Sequence, residues 1–143
     1  MTPAQAAGDQ QIGLTLVHDV AFWRAGRGGE AAVMVWRGGA PARLLPREPG
    51  ASAFGFGTDG TDMVWLERER PREPTSAHEK PPGSQGLVVY AAPFAVSAAD
   101  VRPRRLGRYP GEQPPASPLK VGCGWAAHNP ARGLVLLLRL SDG

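Results

Sequence analysis

The chain has 143 residues, 42% of them hydrophobic, a net charge of +3 and one cysteine, which suits one domain or part of a larger one and excludes an internal disulfide. No purely apolar run, 134–138 among them, comes near the length needed to span a bilayer. Nineteen glycines and fifteen prolines lie between short apolar runs, a pattern of brief strands and many turns that leaves little room for helices.

Residues 1–11, MTPAQAAGDQQ, read as a polar tail. They lack the basic start and long apolar core of a secretory signal, so the chain is expected to be soluble, its compartment open. In LVHDVAFW, His18-Asp19 marks a turn between strands. The first tryptophan-bearing run, AFWRAG (21–26), is followed by a polar turn and a second apolar run, AVMVW (32–36). The nearest thing to a helix, GGEAAVMVW (28–36), is short and ends in Arg-Gly-Gly. PARLLPRE (41–48) fits an exposed outer strand, where proline and arginine are tolerated.

The stretch FGFGTDGTDMVWLERE (54–69) holds the segment TDGTD, Thr58 to Asp62. Asp59 and Asp62 could offer carboxylates to calcium, but a calcium loop needs further alternating ligands and a closing bidentate acid. Asp-Gly between apolar runs is instead a hairpin turn, because glycine accepts positive φ and aspartate bonds its own backbone. The second tryptophan run, DMVWLE (62–67), is followed by RERPREPTSAHEKPPGSQ (68–85), then by GLVVY (86–90). The insertion is charged, proline-rich and without large apolar side chains, so it is expected to be a long disordered loop. VRPRRLGRY (101–109) reads as another charged outer strand, and GCGWAAH (122–128) with LVLLLRL (134–140) as a third pair of runs.

These pairs recur. Trp23 to Trp36 spans 13 positions and Trp125 to Leu138 also 13, while Trp65 to Tyr90 spans 25 because of the insertion. A period of 40 to 50 residues built of short strands indicates radially stacked sheets, since one such sheet cannot bury both faces alone. Runs such as VMVW, LVVY and LVLLL are continuous rather than alternating, as strands covered on both faces are.

On these residues the chain resembles bacterial β-propeller repeat proteins of the WD40-like, TolB-like and YVTN-like kind. Trp23, Trp65 and Trp125 would lie in second strands, VMVW, LVVY and VLLL in third strands, and DGTD and LSDG in turns. The Gly-His and Trp-Asp signatures of WD40 blades are absent. The resemblance implies an all-β fold: a partial β-propeller of about three antiparallel blade-like sheets over 12–143, divided near 12–50, 51–110 and 111–143. A propeller needs at least four blades, so the chain is expected to be part of a longer propeller or to complete a ring by self-association through open blade edges.

Each candidate site has a plainer reading. Cys123 and His128 are five residues apart, on opposite faces of an extended strand, so a buried structural cysteine is preferred to a nucleophile. No Gly-x-Ser-x-Gly elbow exists, and His18, His78 and His128 are too scattered for zinc. Arg102, Arg104, Arg105, Arg108 and Tyr109 form the densest basic patch, but strand alternation splits it, so nucleic acid is not expected. Only Lys80 and Lys120 are lysines, and the scattered arginines fit a bias toward Ala, Gly, Pro and Arg. Trp23, Trp36, Trp65 and Trp125 could line a ligand pocket; packing between blades is the simpler role for Trp23, Trp65 and Trp125. No residue is assigned to catalysis, a cofactor or a metal. The expected function is a non-enzymatic binding scaffold for a protein, peptide or glycan. The alternative is part of an enzyme or enzyme-associated propeller whose catalytic residues lie outside these residues.

Overall fold

A computed structural model describes residues 12–26, 30–47, 51–68, 86–110, 119–131 and 134–140. The chain is all-β. Among the described residues eleven strands follow one another: β1 (Ile12–Val17), β2 (Val20–Ala25), β3 (Ala32–Trp36), β4 (Ala42–Leu45), β5 (Ala53–Thr58), β6 (Asp62–Arg68), β7 (Leu87–Pro93), β8 (Arg104–Tyr109), β9 (Lys120–Gly122), β10 (Trp125–Ala131) and β11 (Leu134–Arg139). They form three antiparallel sheets, β1-β2-β3-β4, β5-β6-β7-β8 and β9-β10-β11, each strand beside its sequence neighbour, and none of the sheets is closed. The only helical turn among the described residues is Ala98–Asp100, between β7 and β8. The segment 28–36 therefore contributes a strand: Val33 and Val35 point to one side and are buried, and Trp36 points to the other and is exposed.

Each tryptophan run does fold back on its apolar partner. Trp23 lies opposite Met34, Trp65 opposite Tyr90, and Ala126 opposite Leu138. Arg68, placed in the long loop by its neighbours, is the last residue of β6 and pairs with Leu87. The remainder of that loop, with His78 and Lys80, lies outside the described residues, as does the tail 1–11.

Two cores hold the sheets together. Val20, Phe22, Val33, Val35, Leu44 and Leu45 of the first sheet meet Met63, Trp65 and Ala92 of the second. The opposite face of the second sheet, with Phe54, Val64, Leu66, Val89 and Tyr109, meets Leu119, Ala126 and Leu140 around the third. The second sheet is thus covered on both sides, which is why β6 and β7 are buried at consecutive positions. In the first sheet β3 alternates instead, while β2 is buried at Val20, Ala21, Phe22 and Trp23.

Glycine makes this double coverage possible in β5. Gly55 has φ of 60° at a register shift between Phe54 and Gly57. The bulge rotates the strand, so that Phe54 enters the core against the third sheet while Phe56 packs at a tilt on Phe22, ring centroids 5.2 Å apart, against the first. Two backbone bonds tie the sheets: Ala53 N–H to Ala31 O (2.8 Å) and Leu119 N–H to Gly55 O (3.0 Å).

Candidate functional site

Among the described residues, a cleft of about 640 Å³ lies between the first and second sheets. Leu45 at the end of β4 forms one wall; Trp65, Val88 and Tyr90 on adjoining strands form the other. Trp65 and Tyr90 are direct cross-strand partners, and their rings stack at 6.0 Å with planes 21° apart. Trp65 itself is fully buried, its indole N–H donating to Glu67 Oε1 at 3.0 Å. That bond fixes the ring, and the half-buried Tyr90 is the aromatic surface within reach of a ligand. Arg47 and Arg105 lie at the mouth with Glu67, giving it more positive than negative groups. Arg68 leans over the Phe54 ring, 5.5 Å from its centroid.

The basic patch on β8 is divided as its alternation requires. Arg105 pairs with Tyr90 and faces the cleft; Arg104 pairs with Ala91 and faces the other way. Arg102 precedes the strand and donates Nη1 to Ala99 O at 2.7 Å, bracing the helical turn. Arg108 lies near Gly86, where a Cβ would come within 2.8 Å of its Nη2. Tyr109 turns into the second core beside His128, with ring centroids 5.9 Å apart, and burial pushes its hydroxyl pKa up.

TDGTD is the turn between β5 and β6. Asp59 Oδ1 accepts from the N–H of Thr61 and of Asp62, both at 2.9 Å, and Thr58 Oγ1 donates to Asp62 O at 2.7 Å. The amide bonds, that from Asp62 first, hold the Asp59 carboxyl below its ordinary pKa. Gly60 has φ of 88°, and a Cβ there would approach Val17 and His18 of the neighbouring turn. His18-Asp19 makes that neighbouring turn, His18 at φ of 54° and Asp19 paired with Arg37 at 3.0 Å. The arginine hydrogen bond lowers the Asp19 carboxyl pKa.

Two expectations are corrected. Cys123 is not buried: it is exposed, at φ of 54°, in the two-residue turn Cys123-Gly124 that joins β9 to β10. The glycines on either side serve that turn rather than a tight core. His128 lies further along β10 against Tyr109, and burial lowers its pKa. The tryptophans also differ from one another. Trp65 and Trp23 face the preceding side of their sheets, whereas Trp125 lies opposite in sense to the buried Ala126 and is 45% exposed. A single packing role repeated at all three positions does not hold.

Among the described residues, no group of three His, Cys, Asp or Glu side chains is gathered closely enough to hold a metal ion, and no helix is long and apolar enough to cross a membrane. No protein-family model, curated protein or solved structure matches the chain. The cleft residues Leu45, Arg47 and Glu67 carried no signal of their own in the sequence, whereas Arg105 stood in the basic patch and Trp65 among the tryptophans weighed for a ligand pocket.

Proposed function

We propose that the three sheets are consecutive blades of a propeller-type ring, and that the chain is a binding scaffold whose cleft between the first two sheets takes an extended, acidic peptide segment of a partner protein. Consecutive antiparallel meanders of four, four and three strands, with a separate apolar core at each sheet-to-sheet contact, favour the blade reading over a two-layer sandwich. The single observation that carries the ligand reading is the cleft itself: Leu45, Val88 and Tyr90 offer an apolar floor, while Arg47 and Arg105 lie at its mouth. An apolar surface bounded by a few polar groups fixes an extended chain's register, and guanidinium groups reward carboxylates on it.

The test uses the fluorescence of Trp65, which stacks on Tyr90 in the cleft wall. Acidic hexapeptides, neutral hexapeptides and neutral oligosaccharides are titrated into the intact chain and into Tyr90→Ala and Arg105→Ala. The acidic peptides are expected to change the emission of the intact chain and to bind at least about tenfold more weakly to either variant, the loss of one good contact of about 1.4 kcal/mol. Equal binding of neutral and acidic peptides, a preference for the oligosaccharides, or binding unaffected by both substitutions would contradict the reading.

A further inference from the structure

The cleft floor is not uniform in charge. On the face of the second sheet that lines it, register sets Trp65 beside Tyr90 and Tyr90 beside Arg105 in one row across the strands. The next row, two residues along, sets Ala53 beside Glu67, Glu67 beside Val88 and Val88 beside Arg108. Arg108 turns over Gly86, where a Cβ would lie 2.8 Å from its Nη2. Glu67 and Arg105 both line the cleft, at different steps of it.

Among the described residues that line the cleft, Glu67 is the only acid. Its carboxylate is held in place, because Oε1 accepts the Trp65 indole N–H at 3.0 Å. Its row neighbours Ala53 and Val88 are 0% and 3% exposed. A half-buried carboxylate beside such apolar groups keeps more of its field than one in open water. A carboxylate also has about four lone-pair sites, so bonding the indole does not exhaust it.

We infer that Glu67 sets the register of the bound segment. The ligand's acid is confined to the Tyr90–Arg105 step, and the side chain two positions away, over the Glu67–Val88 step, is an uncharged hydrogen-bond donor. This rests on the peptide reading of the cleft and narrows it to segments that pair an acid with an amide-bearing residue at a spacing of two. The spacing follows from extended geometry: residues two apart on one face lie about 6.6 Å apart, in the sheet and in an extended ligand alike. A second ligand carboxylate over Glu67 meets like charge where water is partly excluded, whereas a glutamine or asparagine there donates an N–H to a carboxylate oxygen. Glu67 is thus the repulsive half of the discrimination and Arg105 the attractive half. A ligand can run along the cleft in either direction, so the acid can precede or follow the amide.

The experiment titrates alanine-based hexapeptides, capped at both ends, that carry Glu-Ala-Gln, Gln-Ala-Glu or Glu-Ala-Glu at the centre. Trp65 emission is read in the intact chain and in Glu67→Gln, whose amide oxygen still accepts the indole N–H. Far-ultraviolet circular dichroism checks that the variant folds, and the comparison of the three peptides on the intact chain decides by itself where it does not. The intact chain is expected to bind at least one amide-bearing peptide about tenfold more tightly than Glu-Ala-Glu. In Glu67→Gln that preference is expected to be lost or reversed, an outcome that a merely structural role for Glu67 would not produce. Equal binding of the three peptides by the intact chain, or a preference for Glu-Ala-Glu, overturns the inference while leaving the cleft reading standing. So does a preference for the amide-bearing peptides that survives in Glu67→Gln. An intact chain that binds no acidic peptide at all overturns the cleft reading and this inference with it.

Discussion

Asp59 aims its carboxylate at the amides of Thr61 and Asp62 and so closes the turn from inside. Its oxygens serve the backbone, which is the role Asp-Gly chemistry suggested and which a cation would have to compete for. Replacing Asp59 by Ala leaves those two amides to water and is expected to lower stability by about 1 kcal/mol at pH 7, read from urea denaturation. The sign of the pH dependence follows from the lowered pKa. A carboxyl with a depressed folded-state pKa stabilises above its unfolded value of 3.8, and that contribution is lost as pH falls through the lower folded value. The difference between wild type and Asp59→Ala should therefore shrink in strong acid; a difference that grows there would refute the role. Cys123 was the residue most easily misread. Small neighbours accompany buried cysteines and tight hairpin turns alike, and only the positive φ at Cys123 and Gly124 distinguishes the two.

At the scale of elements, most strands were legible because their runs are continuous and their turns are marked by Gly, Asp and Pro. AFWRAG with AVMVW, DMVWLE with GLVVY and GCGWAAH with LVLLLRL all pair as their apolar content required. Which way each side chain faces was less legible. FGFG has a period of two and would place Phe54 and Phe56 on one face, yet the bulge at Gly55 sends them to different cores. Period-two reasoning fails wherever a glycine inserts a bulge, and composition alone does not say where that occurs. Gly57 shows a second glycine requirement of β5. A Cβ there would collide with the Leu119 carbonyl oxygen, a backbone atom that cannot swing aside. Gly57→Ala is expected to cost about 1–3 kcal/mol by overpacking, whereas Gly122→Ala, which meets nothing within 4 Å, should stay within about 0.5 kcal/mol. Equal effects in urea denaturation would show that the second and third sheets do not approach each other there. The cleft was the least legible element of all. It arises from sheet-to-sheet placement, and its arginines lie in segments that read only as charged edges.

The whole molecule is ordered by what each sheet can hide. The second sheet has a neighbour on each side, so Val64, Trp65, Leu66, Leu87, Val88 and Val89 are all buried. The first and third sheets each have one, and Leu14, Leu16, Trp36, Trp125, Val135 and Leu137 stay exposed on them. Amide hydrogen exchange reports this gradient strand by strand, because opening a central strand buried on both faces requires disrupting both cores. Slowest exchange in β6 and β7, with β1 and β11 faster, is the expected result. Exchange in β6 and β7 as fast as in β1 and β11 would contradict a middle sheet held between two others.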